Sequence, residues 1–394
     1  MKIAVVSDFY SEGMGYTENC LPKAMASLGH EVHLVTSNLQ VYGNSSDYDI
    51  TYKPYLGKKI QPCGIFSVDN FCVHRLPHVL LSNYIYIVGI IKEIIKINPN
   101  IVHVTNCIST SAFKLALCTL FLKYKLFTEC HQHSSVVRPH LIDKNPFYPK
   151  NLFYFISRTI PGKIINKFTS KCFPIAPDCA MVAYQFYGVS KEKIHLIPIG
   201  TDTDIFYPVD DANTSKENIY LRKSLGFQAS DILCVYSGRF SNSKNPLLLA
   251  RSIVNLQKKG LPFNALFIGD GIQKKAIESC QGCKVISFVK YDQLPRYFRA
   301  ADIGVWPTQE SVSMLDALAC GIPVIASSKI GDPYRIEGNG KLYNEGDIEH
   351  LTHILEELYN KNIRIELGKV GRQKMLSSYS WLSNAKKIID IYMS

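Results

Sequence analysis

The chain has 394 residues, too many for one ordinary core and suited to two domains of roughly 200 residues each. With 46% hydrophobic and 20% charged residues and no low-complexity tract, disordered and fibrous classes are excluded. The net charge of +11 is unevenly placed: residues 1–200 hold 20 basic against 12 acidic side chains, a net +8, and the remainder 24 against 21, a net +3. In chain order, short β-branched runs at 2–7, 31–36, 71–76, 101–105, 125–129, 172–176 and 194–198 read as strands. Helical segments at 18–28, 84–96, 110–122 and 153–170 lie between them. A polar run at 207–216, rich in turn formers, then interrupts the pattern. The alternation restarts with strands at 232–237, 265–269, 285–288, 303–306 and 324–326, and helices at 246–257, 293–300, 313–319, 348–359 and 363–378.

This alternation predicts an α/β protein of two tandem Rossmann-like, doubly wound parallel-sheet domains facing across a cleft. The expected domains are 1–206 and 217–380 with a linker at 207–216. Ligands of such sheets bind beyond the carboxyl ends of the strands, so chemistry belongs on the loops that follow them.

Four such loops carry suitable residues. The first strand runs into Asp8-Phe9-Tyr10-Ser11-Glu12-Gly13-Met14-Gly15-Tyr16, a turn whose glycines Gly13 and Gly15 let backbone N–H groups approach a phosphate or sugar. It is not G-x-G-x-x-G and no acid ends the next strand, which disfavours a nicotinamide dinucleotide. After the strand at 125–129 come His131, His133 and Arg138, a set suited to hydrogen bonding a sugar acceptor; Glu129 and Cys130 point to opposite faces of the strand, which disfavours a metal there. In the second series, Gly238, Arg239 and Lys244 follow the strand at 232–237, two cations suited to a diphosphate. Glu310, Ser311, Ser313, Met314, Leu315 and Asp316 follow the strand at 303–306, with acids able to hold hydroxyls. Ser313 as N-cap with Asp316 three residues on reads as a capping box.

Other signals are weak. The apolar start Met1-Lys2-Ile3-Ala4-Val5-Val6 is too short for a signal peptide, and the apolar stretch at 79–91 is too short for a spanning helix. Twelve cysteines sit in apolar surroundings, as reduced thiols of a cytoplasmic protein do; the lone C-x-x-C at Cys280 and Cys283 has no second pair, and no metal is expected. The basic first half points to an anionic partner, and the basic-aromatic stretch 145–171 would suit an anionic membrane surface. No nucleic-acid module is recognisable.

Together, Gly29-His30-Glu31-Val32, Ile197-Pro198-Ile199-Gly200-Thr201-Asp202 with Phe206, Ser237-Gly238-Arg239, Phe267-Ile268-Gly269-Asp270-Gly271, Cys320-Gly321-Ile322-Pro323-Val324-Ile325 and Tyr379-Ser380-Trp381 resemble the motifs of glycosyltransferase family 4, over nearly the whole chain. The resemblance implies a GT-B fold and a retaining, metal-independent, hexosyltransferase-type reaction. A sugar would move from a UDP- or GDP-linked donor to a hydroxyl of a glycan, lipid-linked or small-molecule acceptor, with no further cofactor. It implies that Arg239 and Lys244 grip the donor diphosphate, Glu310 faces the donor sugar, Asp316 holds the ribose, and His131 contacts the transferred sugar. Gly13 and Gly15 would close on the donor, Gly238 and Gly269 would lie beside it, and the helix at 381–394 would cross back to the first domain. The family spaces its two acids E-x7-E, whereas here Thr308 stands eight residues before Asp316 and Glu310 six. Two other readings compete: a catalytically weakened binding or regulatory protein on the same frame, and a sugar-nucleotide epimerase of similar architecture. The expected location is cytoplasmic, with peripheral attachment to the membrane face as an option.

Overall fold

The computed structural model describes all residues except Asp47, Ser82, Asn83, 135–151, Tyr154, Asp210, Asp211 and Gln309. The strands are β1 (Lys2–Ser7), β2 (Glu31–Ser37), β3 (Gly64–Val68), β4 (Phe71–Leu76), β5 (His78–Leu81), β6 (Tyr84–Ile87), β7 (Ile101–Val104), β8 (Lys125–Cys130), β9 (Thr169–Pro174), β10 (Ile232–Ser237), β11 (Phe263–Ile268), β12 (Cys283–Ile286), β13 (Ile303–Trp306), β14 (Val324–Ser327) and β15 (Gly340–Tyr343). They form a seven-stranded sheet in the order β3-β4-β2-β1-β7-β8-β9, a six-stranded sheet in the order β12-β11-β10-β13-β14-β15, and the hairpin β5-β6. All neighbours in the two large sheets pair in parallel except β3 with β4.

The central strands are buried on both faces, which is why they read as unbroken apolar runs: Ile3 to Val6 and Leu233 to Tyr236 are almost wholly sequestered. Each sheet reverses its winding beside its first strand, between β1 and β7 in one and between β10 and β13 in the other. Those are the switch points, where adjacent strand-end loops part and leave room for a ligand.

The chain divides into two compact units, Met1–Ile199 with Asn384–Ser394, and Gly200–Ser383. Residues 200–206 belong to the second unit for a physical reason. Thr201 exchanges backbone hydrogen bonds with Tyr379 and Trp381, and the Arg372 guanidinium donates to the carbonyls of Phe206 (2.6 Å) and Ala319 (3.0 Å). The polar run at 207–216 is not all linker, because a helix begins at Ala212 and continues to Ser224. Its Arg222 holds Asp302 at 2.6 Å and the carbonyl of Ala300 at 2.7 Å.

Several expected elements change. The segment 84–96 splits into β6 and a helix, Ile90–Ile97: Ile85 and Ile87 alternate inward as strand residues, and Gly89, at φ 81°, turns the chain between them. Residues 194–198 make one bridge, Cys172 to Ile194, and donate to β9 on one side only. The segment 153–170 becomes a π-turn, Phe155–Thr159, a helix, Ile160–Phe168, and the start of β9. Short β3 and β15 carry no alternation strong enough to read. No helix among the described residues is long and apolar enough to cross a membrane.

Candidate active site

In the second unit the chemistry gathers at the switch point. The loop after β10 and the loop after β13 are stitched together by side chains that donate to backbone oxygens. Trp306 Nε1 and Ser313 Oγ both reach the carbonyl of Ser237 (3.1 and 3.2 Å), Thr308 Oγ1 reaches that of Ser243 (2.5 Å), and Lys244 Nζ reaches that of Glu310 (2.8 Å). On the other side of β10 the loops at 238–240 and 269–271 lie backbone against backbone, with Phe240 N–H donating to Asp270 O at 2.8 Å. That approach requires glycine: a Cβ on Gly269, at φ 149°, would stand 2.0 Å from the Gly238 carbonyl oxygen. Gly269 therefore lets the two strand-end loops meet, while a Cβ on Gly238 (φ 150°) would press on the Tyr236 hydroxyl at 2.9 Å.

Arg239 is exposed, while Lys244 is partly buried and its ammonium donates to the Glu310 carbonyl in that stitch. Burial and the positive charge of Arg239 push the Lys244 ammonium down to about 8. Two cations at one strand end, close enough to repel, form a place where an anion relieves both.

Glu310 does not stand open. Its carboxylate accepts from Arg335 Nη1 (2.8 Å) and from the Asp332 N–H (2.9 Å), while Arg335 Nε also donates to Asp332 (3.1 Å). This three-residue clamp ties the β13 loop to the loop after β14, with each Glu310 oxygen accepting one hydrogen bond. Ser311, not Ser313, is the N-cap residue of the helix Val312–Ala319: its backbone is extended (φ −142°, ψ 145°), and Ser313 spends its hydroxyl on Ser237. The expected Ser313–Asp316 capping box is thereby corrected. Met314 and Leu315 are buried beneath the loop. So is Asp316, 2% exposed, whose carboxyl accepts from Thr201 Oγ1 at 2.7 Å; burial raises it to about 8.

In the first unit the loop after β1 is pinned by Ser11, which bonds Gln40 Oε1 and accepts from the Val41 N–H (3.0 Å), and by Glu12, which takes Arg75 at 3.0 Å. Gly13 needs its φ of 72° and has open space around it, whereas Gly15 is buried. Across the switch point Ser111 donates to Asp8 (3.4 Å), whose carboxyl burial raises to about 6.

His131 ends a chain of titratable groups. The Tyr392 hydroxyl pairs with His103 Nδ1, His103 Nε2 meets Glu129 Oε1 at 2.7 Å, and Glu129 Oε2 meets His131 Nε2 at 2.5 Å. Burial opposes ionisation of Glu129, yet the two imidazoles prevail and lower it to about 2. In return, and against its own desolvation, His131 is raised by Glu129. Burial also pushes Glu18, within the field of both, up to about 7. His133 turns away from this chain to Asp178, at 3.1 Å. Arg138 lies outside the described residues.

The structure thus brings Arg239, Lys244, Glu310, Ser311 and Ser313 together, leaves Asp316 as a buried partner of Thr201, and separates the roles of His131 and His133. The Asp332–Arg335 clamp and the Tyr392–His103 arm were not foreseen. Glu129 and His131 share a strand face by their i, i+2 spacing, a signal that the sequence did carry; the partners of Glu310 lie in a loop with no motif.

Residues 21–205 match the family model described as Glycosyltransferase Family 4, and residues 231–361 the model described as Glycosyl transferases group 1. The chain is 22% identical over 375 residues to alpha-monoglucosyldiacylglycerol synthase of Acholeplasma laidlawii, covering 90% of this chain and 88% of that one. It is 25% identical over 215 residues to a GDP-mannose-dependent monoacylated alpha-(1-6)-phosphatidylinositol monomannoside mannosyltransferase of Corynebacterium glutamicum, covering 50% of this chain and 55% of that relative, about half its length. Among solved structures, sucrose-phosphate synthase from Thermosynechococcus elongatus aligns with a TM-score of 0.71 at 19% identity, over 100% of this chain and 98% of that one. Anabaena HepE in complex with UDP aligns with a TM-score of 0.68 at 15% identity, over 99% of each chain.

Proposed function

The chain belongs to glycosyltransferase family 4 and has the GT-B fold, and on that premise we propose that it moves a sugar from a nucleoside diphosphate sugar to an acceptor hydroxyl with retention of configuration. One observation carries the reading: Arg239 and Lys244 share the loop at the carboxyl end of β10, where Lys244 Nζ reaches across the switch point to the Glu310 carbonyl at 2.8 Å. A donor diphosphate neutralises both. As its bond to the sugar breaks, the developing negative charge falls on the same two cations and on the N-terminus of the helix Val312–Ala319. The reading calls on no metal. Arg335 and the Asp332 N–H fix the Glu310 carboxylate, whose remaining lone pairs can accept from a donor-sugar hydroxyl.

The donor is UDP- or GDP-linked: UDP is named with the Anabaena structure and GDP with the corynebacterial relative. The test is a thermal-shift screen of the purified chain against UDP- and GDP-sugars, followed by product analysis. A midpoint that rises with one nucleotide sugar, with transfer or slow hydrolysis of that sugar, supports the proposal. Stabilisation without turnover would favour the binding-protein alternative, and no stabilisation by any member would remove the proposal.

A specific surface favours a lipid-linked acceptor. In the first unit Leu80 and Leu81 of the hairpin, Phe153, and Phe155 and Ile156 of the π-turn are exposed. Arg158 lies 6.0 Å from the Tyr84 ring and Lys114 caps the Tyr86 ring, so apolar and cationic groups share one patch. Such a patch suits peripheral docking on an anionic, cytoplasmic membrane face, where +8 of the net charge would act. The Acholeplasma relative is named for a glucosylated diacylglycerol. Sedimentation with vesicles should show binding that rises with anionic lipid, and binding indifferent to lipid charge would remove this acceptor class.

A further inference from the structure

Away from both loop clusters, the first unit holds imidazoles and a thiol on one face of its sheet. In the parallel pairing of β2 with β4, His33 stands opposite Cys72 and Val35 opposite His74. The i, i+2 spacing of Cys72 and His74 puts them on one face, and His33 joins them. His33 Nδ1 lies 2.9 Å from His74 Nε2, and the ligand atoms of His33, Cys72 and His74 all lie within 4.8 Å of one another.

What stands behind the imidazoles is more telling. His33 Nε2 meets Glu31 Oε1 at 3.1 Å, and His74 Nδ1 meets Glu93 Oε1 at 2.9 Å, with Glu93 supplied by the helix Ile90–Ile97 and itself buried. A carboxylate on one ring nitrogen fixes the tautomer that turns the other nitrogen's lone pair outward, the usual support of metal-bound histidine. Here each imidazole has such a carboxylate, and their remaining nitrogens meet each other in a hydrogen bond that a cation would replace as the donating ring shifts its proton to the carboxylate side. His74 is buried while His33 and Cys72 are half-buried, so the point is reached from solvent.

We propose that His33 Nδ1, His74 Nε2 and Cys72 Sγ form a site for a divalent cation that prefers imidazole and thiolate ligands, zinc being the class the donor set fits. Tetrahedral zinc places its nitrogen ligands about 3.3 Å apart and nitrogen and sulfur about 3.6 Å apart. The imidazoles therefore part by about half an ångström and Cys72 closes by about one at most. Cys72 gives its proton to solvent as the sulfur binds, and water takes the fourth position. His33 is the third residue of β2, away from the strand ends, so the cation is a clip that ties β2 to β4 and, through Glu93, the helix to the sheet. The site does not depend on the glycosyltransferase reading.

His133, Asp178 and Cys179 also lie within 4.8 Å of one another but lack this support. Asp178 binds His133 on Nδ1, the nitrogen that also faces Cys179 Sγ at 3.7 Å, and it accepts the Ser134 N–H at 3.0 Å. That cluster serves as an internal control.

The test is titration of the chelator-treated full chain with Co²⁺ and then Zn²⁺. The expected result is one equivalent of Co²⁺ with visible tetrahedral bands and a thiolate charge-transfer band, displacement by Zn²⁺, and a melting midpoint that rises with zinc. Cys72→Ser removes the charge-transfer band and weakens zinc binding, Glu93→Gln keeps the band but weakens zinc roughly 10- to 100-fold, and Cys179→Ser changes neither. Absence of stoichiometric binding by the natural chain overturns the proposal. A spectrum that survives Cys72→Ser, or one that disappears in Cys179→Ser, overturns it equally.

Discussion

The two units build their strand-end sites from different materials. In the second, the loops after β10 and β13 are fastened chiefly by Trp306, Ser313, Thr308 and Lys244 donating to backbone carbonyls and by a glycine that lets chain meet chain, with one ionic clamp, Glu310 to Arg335, outside that stitch. In the first, the fastening runs through ionisable side chains, Tyr392 to His103 to Glu129 to His131, with Asp8 and Glu18 raised nearby. Backbone acceptors hold their geometry at any pH; a chain of acids and imidazoles holds it only while each proton stays in place. The second unit is accordingly a fixed cradle for an anion, and the first is a site whose shape and proton affinity are coupled.

The largest test of that division is Arg239→Ala. Arg239 is exposed, so the fold should stand and the melting midpoint should change little. Loss of one charge-stabilising group from the diphosphate is expected to lower turnover about 10²- to 10³-fold. Turnover within threefold of the natural chain would show that the cradle is not built on this cation. Next comes Glu129→Gln, which keeps shape and removes the charge between His103 and His131. The expected cost is about 2 kcal/mol at pH 7, read from chemical denaturation. Glu129 is lowered from 4.5 to about 2, so its contribution is complete above about 4.5 and fades as pH falls toward 2. Because Glu129 also raises His131, the gap should widen as pH falls from 7 toward 5 and shrink again as Glu129 itself titrates toward 2; equal stability at pH 7 would break the contrast.

Lys244 gives the second unit's anion cradle a proton-sensitive cation. With its ammonium at about 8, affinity for UDP should fall as pH rises through 8, by roughly tenfold per unit at the limit. Lys244→Arg keeps its charge to high pH and should flatten that limb, measured by calorimetry from pH 6.5 to 9. An unchanged limb in the variant would assign the pH dependence elsewhere.

Much of this was legible before any coordinates. Parallel strands buried on both faces announce themselves as apolar runs, so β1, β2, β7, β8, β10 and β13 were readable, and their loops with them. What failed was local: β6 reads as helix because Tyr84, Ile85, Tyr86 and Ile87 precede an amphipathic helix without a strong break, and Gly89 alone marks the turn. At the site, residue types were visible but their partners were not. Glu310 reads as an open acid until Arg335, 25 residues later, closes on it, and Asp316 reads as a helix-cap residue until Thr201, 115 residues earlier, reaches it. Such pairings are set by tertiary packing and leave no periodic trace.

Asp316 is the place where the second unit departs from its own pattern, since a buried carboxyl there is raised from 3.8 to about 8. Between those values the native state holds a proton that the unfolded chain has lost, so stability falls as pH rises from about 4 to about 8. Asp316→Asn keeps an oxygen to accept from Thr201 and removes the titration. The variant should match the natural chain near pH 4 and exceed it increasingly toward pH 8, with a difference in slope on the order of 1 kcal/mol per pH unit in denaturation curves. If it loses stability instead, Asp316 is ionised in the folded protein, and an unrecognised cation must face it. That result would add a second buried charge pair to the Glu310–Arg335 pair already in this unit and narrow its contrast with the first.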